Sequence, residues 1–93
     1  MKKSVSRRTV ILSLKDEPGK RVFVADSFND WKPVQKMSYR AEEGVYRCRL
    51  LLTPGEYEYK FMVDDEWRSD PENPNFVPNG FGSLNSVLDV EAK

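Results

Sequence analysis

Val45-Tyr46-Arg47-Cys48-Arg49-Leu50-Leu51-Leu52-Thr53-Pro54-Gly55-Glu56-Tyr57-Glu58-Tyr59-Lys60-Phe61-Met62-Val63 is the stretch whose reading decides the fold. In its first half Tyr46, Cys48, Leu50 and Leu52 fall at every second position, with Arg47 and Arg49 between them. In its second half Tyr57, Tyr59, Phe61 and Val63 do the same, separated by Glu58, Lys60 and Met62. Alternation with period two puts one set of side chains toward a core and the other away from it, the signature of a half-buried strand. Thr53-Pro54-Gly55 turns the chain between the two strands.

The same period extends outward in both directions. Toward the N-terminus, Val10, Leu12 and Leu14 alternate with Thr9, Ile11 and Ser13, and the run stops at Asp16-Glu17-Pro18-Gly19. Residues 21–25 form a second expected strand, and residues 36–40 a short third, closed by Ala41-Glu42-Glu43-Gly44. Asp64-Asp65 makes a tight turn before Trp67, and Leu84, Ser86, Leu88 and Val90 restore the alternation in a last strand. Residues 70–82, rich in proline and asparagine, carry no pattern and are expected on the surface. No window has helical periodicity, and there is no internal repeat or low-complexity tract. About seven short strands joined by turns predict an all-β fold, an immunoglobulin-like antiparallel β-sandwich, with a small barrel as the alternative.

Composition narrows the function. A chain of 93 residues buries about 60–65% of its unfolded surface, enough for one core and no interdomain cleft. Residues 1–8 read as a flexible basic tail and residues 9–93 as a single domain. Fifteen basic residues balance fifteen acidic ones, so no net field recruits nucleic acid or an anionic membrane. The apolar run from Val10 to Leu14 is too short for a signal peptide or membrane helix, and the expected compartment is the cytoplasm. Histidine is absent, which removes the commonest general base and zinc ligand. Cys48 is the only cysteine and falls inward on its strand, a small core residue with no redox role. Neither a metal nor a cofactor is expected, and the chain reads as a binding module with no catalytic residue.

Trp31 and Trp67 both stand at strand-to-loop junctions in polar company, with Lys60 on the strand face away from the core. In a β-sandwich, tryptophan often plugs the end of the core, and an outward lysine is ordinarily solvated. The other reading is a binding surface, since an indole in polar surroundings is costly to leave uncovered by something flat. Sugar rings have an apolar C–H face that stacks on indole, and a nearby ammonium reads the hydroxyls. Each such contact is worth roughly 0.5–1.5 kcal/mol on the scale of aromatic pairs. Two of them give a Kd of roughly 1 mM to 1 μM after ordering costs.

Several separated motifs carry a resemblance to a known family. Val22-Phe23-Val24-Ala25-Asp26-Ser27-Phe28-Asn29-Asp30-Trp31 resembles the VFxxGSFNxW opening of family 48 carbohydrate-binding modules. Pro54 to Trp67 is similar to that family's xGxYxYKFxVDGxW, and Asp70-Pro71 and Gly82 to Leu88 fall where it has DP and GxxNNxxxV. The likeness covers roughly residues 20–90. It is greatest to the glycogen-binding domains of AMP-activated protein kinase β subunits, and it extends to the N-terminal domains of isoamylases and branching enzymes.

The resemblance implies an immunoglobulin-like sandwich that binds α-1,4-glucans such as glycogen, starch or maltooligosaccharides. It assigns Trp31 and Trp67 as stacking platforms and Lys60 as the strand lysine that bonds sugar hydroxyls. It further assigns Phe81 as an apolar side chain against the curved glucan, followed by Ser83 and Asn85 as polar contacts. Phe81 stands where leucine is familiar, Ser83 replaces threonine, and Asp26 and Asp65 replace glycines, the latter in the turn that aims Trp67. The alternative is a protein-interaction or accessory module for an enzyme or kinase of glycogen metabolism, with little sugar binding of its own. Asp64, Asp65, Glu66 and Asp70 lack the spacing of an EF-hand and the cleft that a glycosidase pair needs, and read as a solvated turn.

Overall fold

The computed structural model describes residues 7–27, 31–32, 35–79 and 82–91. Its strands are β1 (Arg8–Lys15), β2 (Val22–Asp26), β3 (Gln35–Lys36), β4 (Ser38–Arg40), β5 (Val45–Leu52), β6 (Gly55–Val63), β7 (Glu66–Arg68), β8 (Phe76–Pro78) and β9 (Leu84–Val90). A smaller sheet has the order β1-β5-β4, and a larger one the order β3-β2-β6-β9-β8, with β7 paired to β6. Every pairing is antiparallel. The result is the all-β, immunoglobulin-like sandwich read from the alternation.

The two halves of the deciding stretch are the two walls of the core. β5 belongs to the smaller sheet and β6 to the larger, so the turn at Thr53-Pro54 carries the chain across the sandwich. Tyr46, Cys48, Leu50 and Leu52 of β5, with Leu12 and Leu14 of β1, form one wall, and Tyr59, Phe61 and Val63 of β6, with Val22 and Val24 of β2, form the other. Burial in this apolar layer pushes the Cys48 thiol up to about 11, with the Asp26 charge adding to the shift, so it stays protonated.

Two expectations are corrected. The segment from Lys36 to Arg40 is not one strand. Lys36 pairs with Phe23 of the larger sheet, whereas Ser38 pairs with Arg47 of the smaller. Met37, buried between them, donates its N–H to the Val22 carbonyl at 2.8 Å. A strand that changes sheets needs an inward side chain at the crossing, and a periodic reading cannot tell that residue from its neighbours. Residues 70–82 are also not wholly irregular, because Phe76–Pro78 forms β8 on the edge of β9. Three residues are too few to display alternation, and β9 sets their register.

Two polar clusters pin the loops. The Tyr46 hydroxyl donates to the Glu17 carbonyl at 2.6 Å and accepts from the Lys20 N–H at 2.9 Å, tying the β1–β2 turn to β5. The Tyr59 hydroxyl donates to Asp70 at 2.6 Å and accepts from Asn73 at 3.1 Å, while Asn73 also donates to the Val87 carbonyl. Burial and the Asp70 carboxylate together push the Tyr59 phenol far above its ordinary range. Asp70 is thus a structural acceptor beneath the loop rather than a member of a solvated acidic turn.

Candidate functional site

On its far edge β6 changes neighbours partway along. Residues Gly55 to Tyr59 pair with β9, and Phe61 to Val63 pair with β7. Lys60 falls at the break, on the face away from the core, with Ala25 of β2 beside it. Register places the rest of that face. Met62 stands opposite both Phe23 and Trp67, and Glu58 stands opposite Val87, two residues along from Asn85. Asn85 in turn stands opposite Val77. A cavity of about 570 Å³ opens over this break, lined by Trp31, Glu58, Lys60, Trp67, Pro78, Asn79, Ser83 and Asn85. That volume suits a small organic ligand.

The two indoles reach the cavity by different routes. Trp67 sits on β7 and is 48% exposed, a large apolar surface left in water. Its aim depends on the Asp64-Asp65 turn, where both residues are left-handed, with φ 47° and 71°. Positive φ at both central positions is the type I′ geometry that suits a two-residue hairpin, and aspartate tolerates it better than most residues. Arg21 fixes the turn: its N–H donates to the Asp64 carboxylate at 2.9 Å, and the Asp64 N–H donates back to the Arg21 carbonyl at 2.9 Å. The lost turn glycine has therefore not opened the hairpin. From the other face of β7, Arg68 reaches Asp16 at 3.0 Å.

Trp31 is half-buried and follows β2 in a turn closed by its own N–H donating to the Asp26 carbonyl at 2.9 Å. It too is left-handed, with φ 63°. For a bulky side chain this is an outlier costing about 1–3 kcal/mol, a strain that gathers at ligand-binding sites.

Between the indoles runs a continuous chain of hydrogen bonds. Lys60 Nζ donates to Ser83 Oγ at 2.7 Å, and Asn79 Nδ2 donates to the same oxygen at 2.8 Å. Asn79 Nδ2 also reaches Asn85 Oδ1 at 3.2 Å, and Asn85 Nδ2 donates to Glu58 Oε1 at 2.9 Å. The strand face of Lys60 points outward as the alternation requires, yet the residue is only 5% exposed, because the β8–β9 connection lays Ser83 over it. Burial depresses its pKa. Ser83 is its sole hydrogen-bond partner among the described residues, which leaves two ammonium hydrogens to be satisfied by a ligand or by water.

Trp31, Lys60, Trp67, Ser83 and Asn85, distant in sequence, thus share one cavity. Phe81 lies outside the described residues. Glu58, Pro78 and Asn79 were missed. Glu58 had a signal, since it is two residues before Lys60 on the same strand face. Asn79 had none, because its place depends on β8 docking against β9.

The arrangement offers two apolar faces flanking a strip of fixed donors and acceptors, with a poorly hydrated cation at its centre. A scan of protein families matches residues 9–93 to the glycogen recognition site of AMP-activated protein kinase. The chain belongs to that family. It is 36% identical over 78 residues to Protein FLOURY ENDOSPERM 6, chloroplastic, of Oryza sativa subsp. japonica, covering 84% of this chain and 15% of that one. It is 42% identical over 60 residues to Protein PTST homolog 2, chloroplastic, of Arabidopsis thaliana, covering 64% of this chain and 11% of the relative. To 5'-AMP-activated protein kinase subunit beta-1 of Rattus norvegicus it is 34% identical over 73 residues, 78% of this chain and 26% of the subunit. The chain therefore spans about a quarter or less of the length of these relatives.

Proposed function

We propose that this glycogen-recognition domain binds α-1,4-glucans without catalysis, stacking glucose units on Trp31 and Trp67 while Lys60, Ser83 and Asn85 read the hydroxyls. The observation that carries the reading is the buried Lys60 ammonium, held by one hydroxyl and lying in the same cavity as both indoles. A buried cation without a carboxylate partner is costly unless acceptors surround it, and the hydroxyl oxygens of a sugar are acceptors. The left-handed backbone at Trp31 supports it further, because strain there is offset if the ring is held for a ligand. Family membership favours the glucan among the flat polar ligands the cavity could accept. Glu58 is the single carboxylate on the cavity wall among the described residues, where glycoside hydrolysis ordinarily requires a flanking pair.

Calorimetric titration of β-cyclodextrin into the wild type and into a Trp31→Ala, Trp67→Ala double variant tests the reading. Saturable heat in the wild type, weakened roughly ten- to hundredfold in the variant, is expected for the loss of two stacked contacts. Absence of heat in the wild type at millimolar ligand would overturn it. Release of reducing ends from glycogen by the pure chain would overturn the non-catalytic part.

A further inference from the structure

The smaller sheet carries a different kind of surface. β4 pairs with β5 only from Val45 to Arg47, and the preceding residues cross to the other sheet as β3. Beyond Arg47, β5 keeps β1 on one side, and no strand among the described residues lies on the other. Among the described residues, half of this central strand is therefore a sheet edge, with main-chain donors and acceptors open to pairing. A depression of about 310 Å³ runs beside it, lined in part by Ile11, Lys36, Arg40, Arg47 and Arg49 and by no carboxylate. Arg47 is engaged by Glu43, whose carboxylate also feels the charge of Arg40, whereas Lys36 and Arg49 have no carboxylate partner among the described residues. Ile11 and Leu51, on the outer face with Arg49, are 50% and 56% exposed.

We propose that this edge docks an extended acidic segment of a partner protein, which adds to β5 as a strand beside Cys48–Leu52. Two independent features select that occupant. The open main chain asks for an extended peptide, since only a strand satisfies a row of such groups. The cations ask for carboxylates at alternate positions of that strand, on the face of Arg49 and Leu51, and the apolar residues between them fall on the opposite face, beside Cys48 and Leu50 at the rim of the core. A second copy of this chain is disfavoured, because edge-to-edge pairing would set arginine against arginine. A nucleic acid would meet the cations and leave the edge unpaired. Apart from Lys36 of β3, the surface lies on the opposite sheet from the glucan cavity and shares no lining residue with it, so the inference stands independently of the glucan reading.

Fluorescence anisotropy with a short labelled peptide alternating glutamate and valine tests it on the full chain. The expected result is saturable binding at low salt that weakens with added salt. Affinity should fall at least about tenfold in Arg40→Glu, Arg49→Glu variants whose circular dichroism and β-cyclodextrin titration are unchanged. N-methylation of alternate peptide nitrogens should abolish binding, because it removes the strand's donors and leaves its charge intact. Binding that survives N-methylation, equal affinity for single-stranded DNA of matched charge, indifference to the charge reversals, or no binding at low salt would each overturn the proposal.

Discussion

The two outer faces of this sandwich treat charge in opposite ways. On the larger sheet one lysine is buried, 5% exposed, and locked into a chain of fixed side chains between two indoles. On the smaller sheet the cations are solvent-facing and border an unpaired strand edge. The first face is preorganised: its groups have already met the cost of ordering, and that favours a small rigid ligand. The second leaves its main chain open and Arg40 and Arg49 exposed, which favours an extended charged partner. A protein of zero formal net charge can thus carry two surfaces of different electrostatic character, because neutrality is a sum and the sheets separate its terms.

Lys60→Met is the strongest way to break that contrast. It keeps the length of the side chain and removes the cation. Glucan affinity should fall by about 1.5–3 kcal/mol, the scale of hydrogen bonds to a charged group, in the same calorimetric titration. Thermal stability should hold or rise, since replacing a buried unpaired charge with an apolar side chain removes a desolvation cost. A variant that loses stability and binding together would mean that Lys60 is a structural strut.

Titrating the same residue is gentler. Burial lowers the Lys60 pKa below its ordinary 10.5, so over the interval between the two values the unfolded chain holds a proton that the folded one has released. Stability contributed by this group therefore rises with pH across that interval, as the buried charge is neutralised. On the proposed reading, glucan binding draws on the protonated ammonium and should fall across the same interval. Binding heats and unfolding midpoints moving in opposite directions would sharpen the assignment, and Lys60→Met should abolish this component of both trends.

The smallest effect is expected at the hairpin that aims Trp67. Asp65→Gly relieves a left-handed backbone, a gain of up to about 1 kcal/mol, and gives up an exposed ion pair with Arg21 that contributes little. The unfolding midpoint should rise slightly in a thermal melt, with glucan affinity unchanged because the turn already has the geometry glycine would give it. A large gain in affinity would show instead that Asp65 misdirects the indole.

Much of the fold was legible because alternation is a local property. Tyr46, Cys48, Leu50 and Leu52 all lie in the core as their spacing requires. The change of sheets at Met37 was not legible, since any residue of that short run satisfied the same pattern. Among site residues, Trp31, Lys60 and Trp67 stand out by chemistry in their neighbourhoods, and Ser83 and Asn85 by motif spacing. Asn79 was invisible, as β8 acquires its register only from β9.

By itself, then, the sequence determined the period-two strands, the turns at Pro18-Gly19 and Pro54-Gly55, the alternating residues that supply the core, and the residue types on the outer faces. Those depend on contacts between near neighbours and on the partition of side chains between water and the interior. Tertiary structure alone decided that β6 would exchange β9 for β7 at Lys60, opening a cavity there, and that β4 would pair with β5 only as far as Arg47. Both outcomes depend on where strands run out relative to one another, and no stretch of chain encodes the length of its partner.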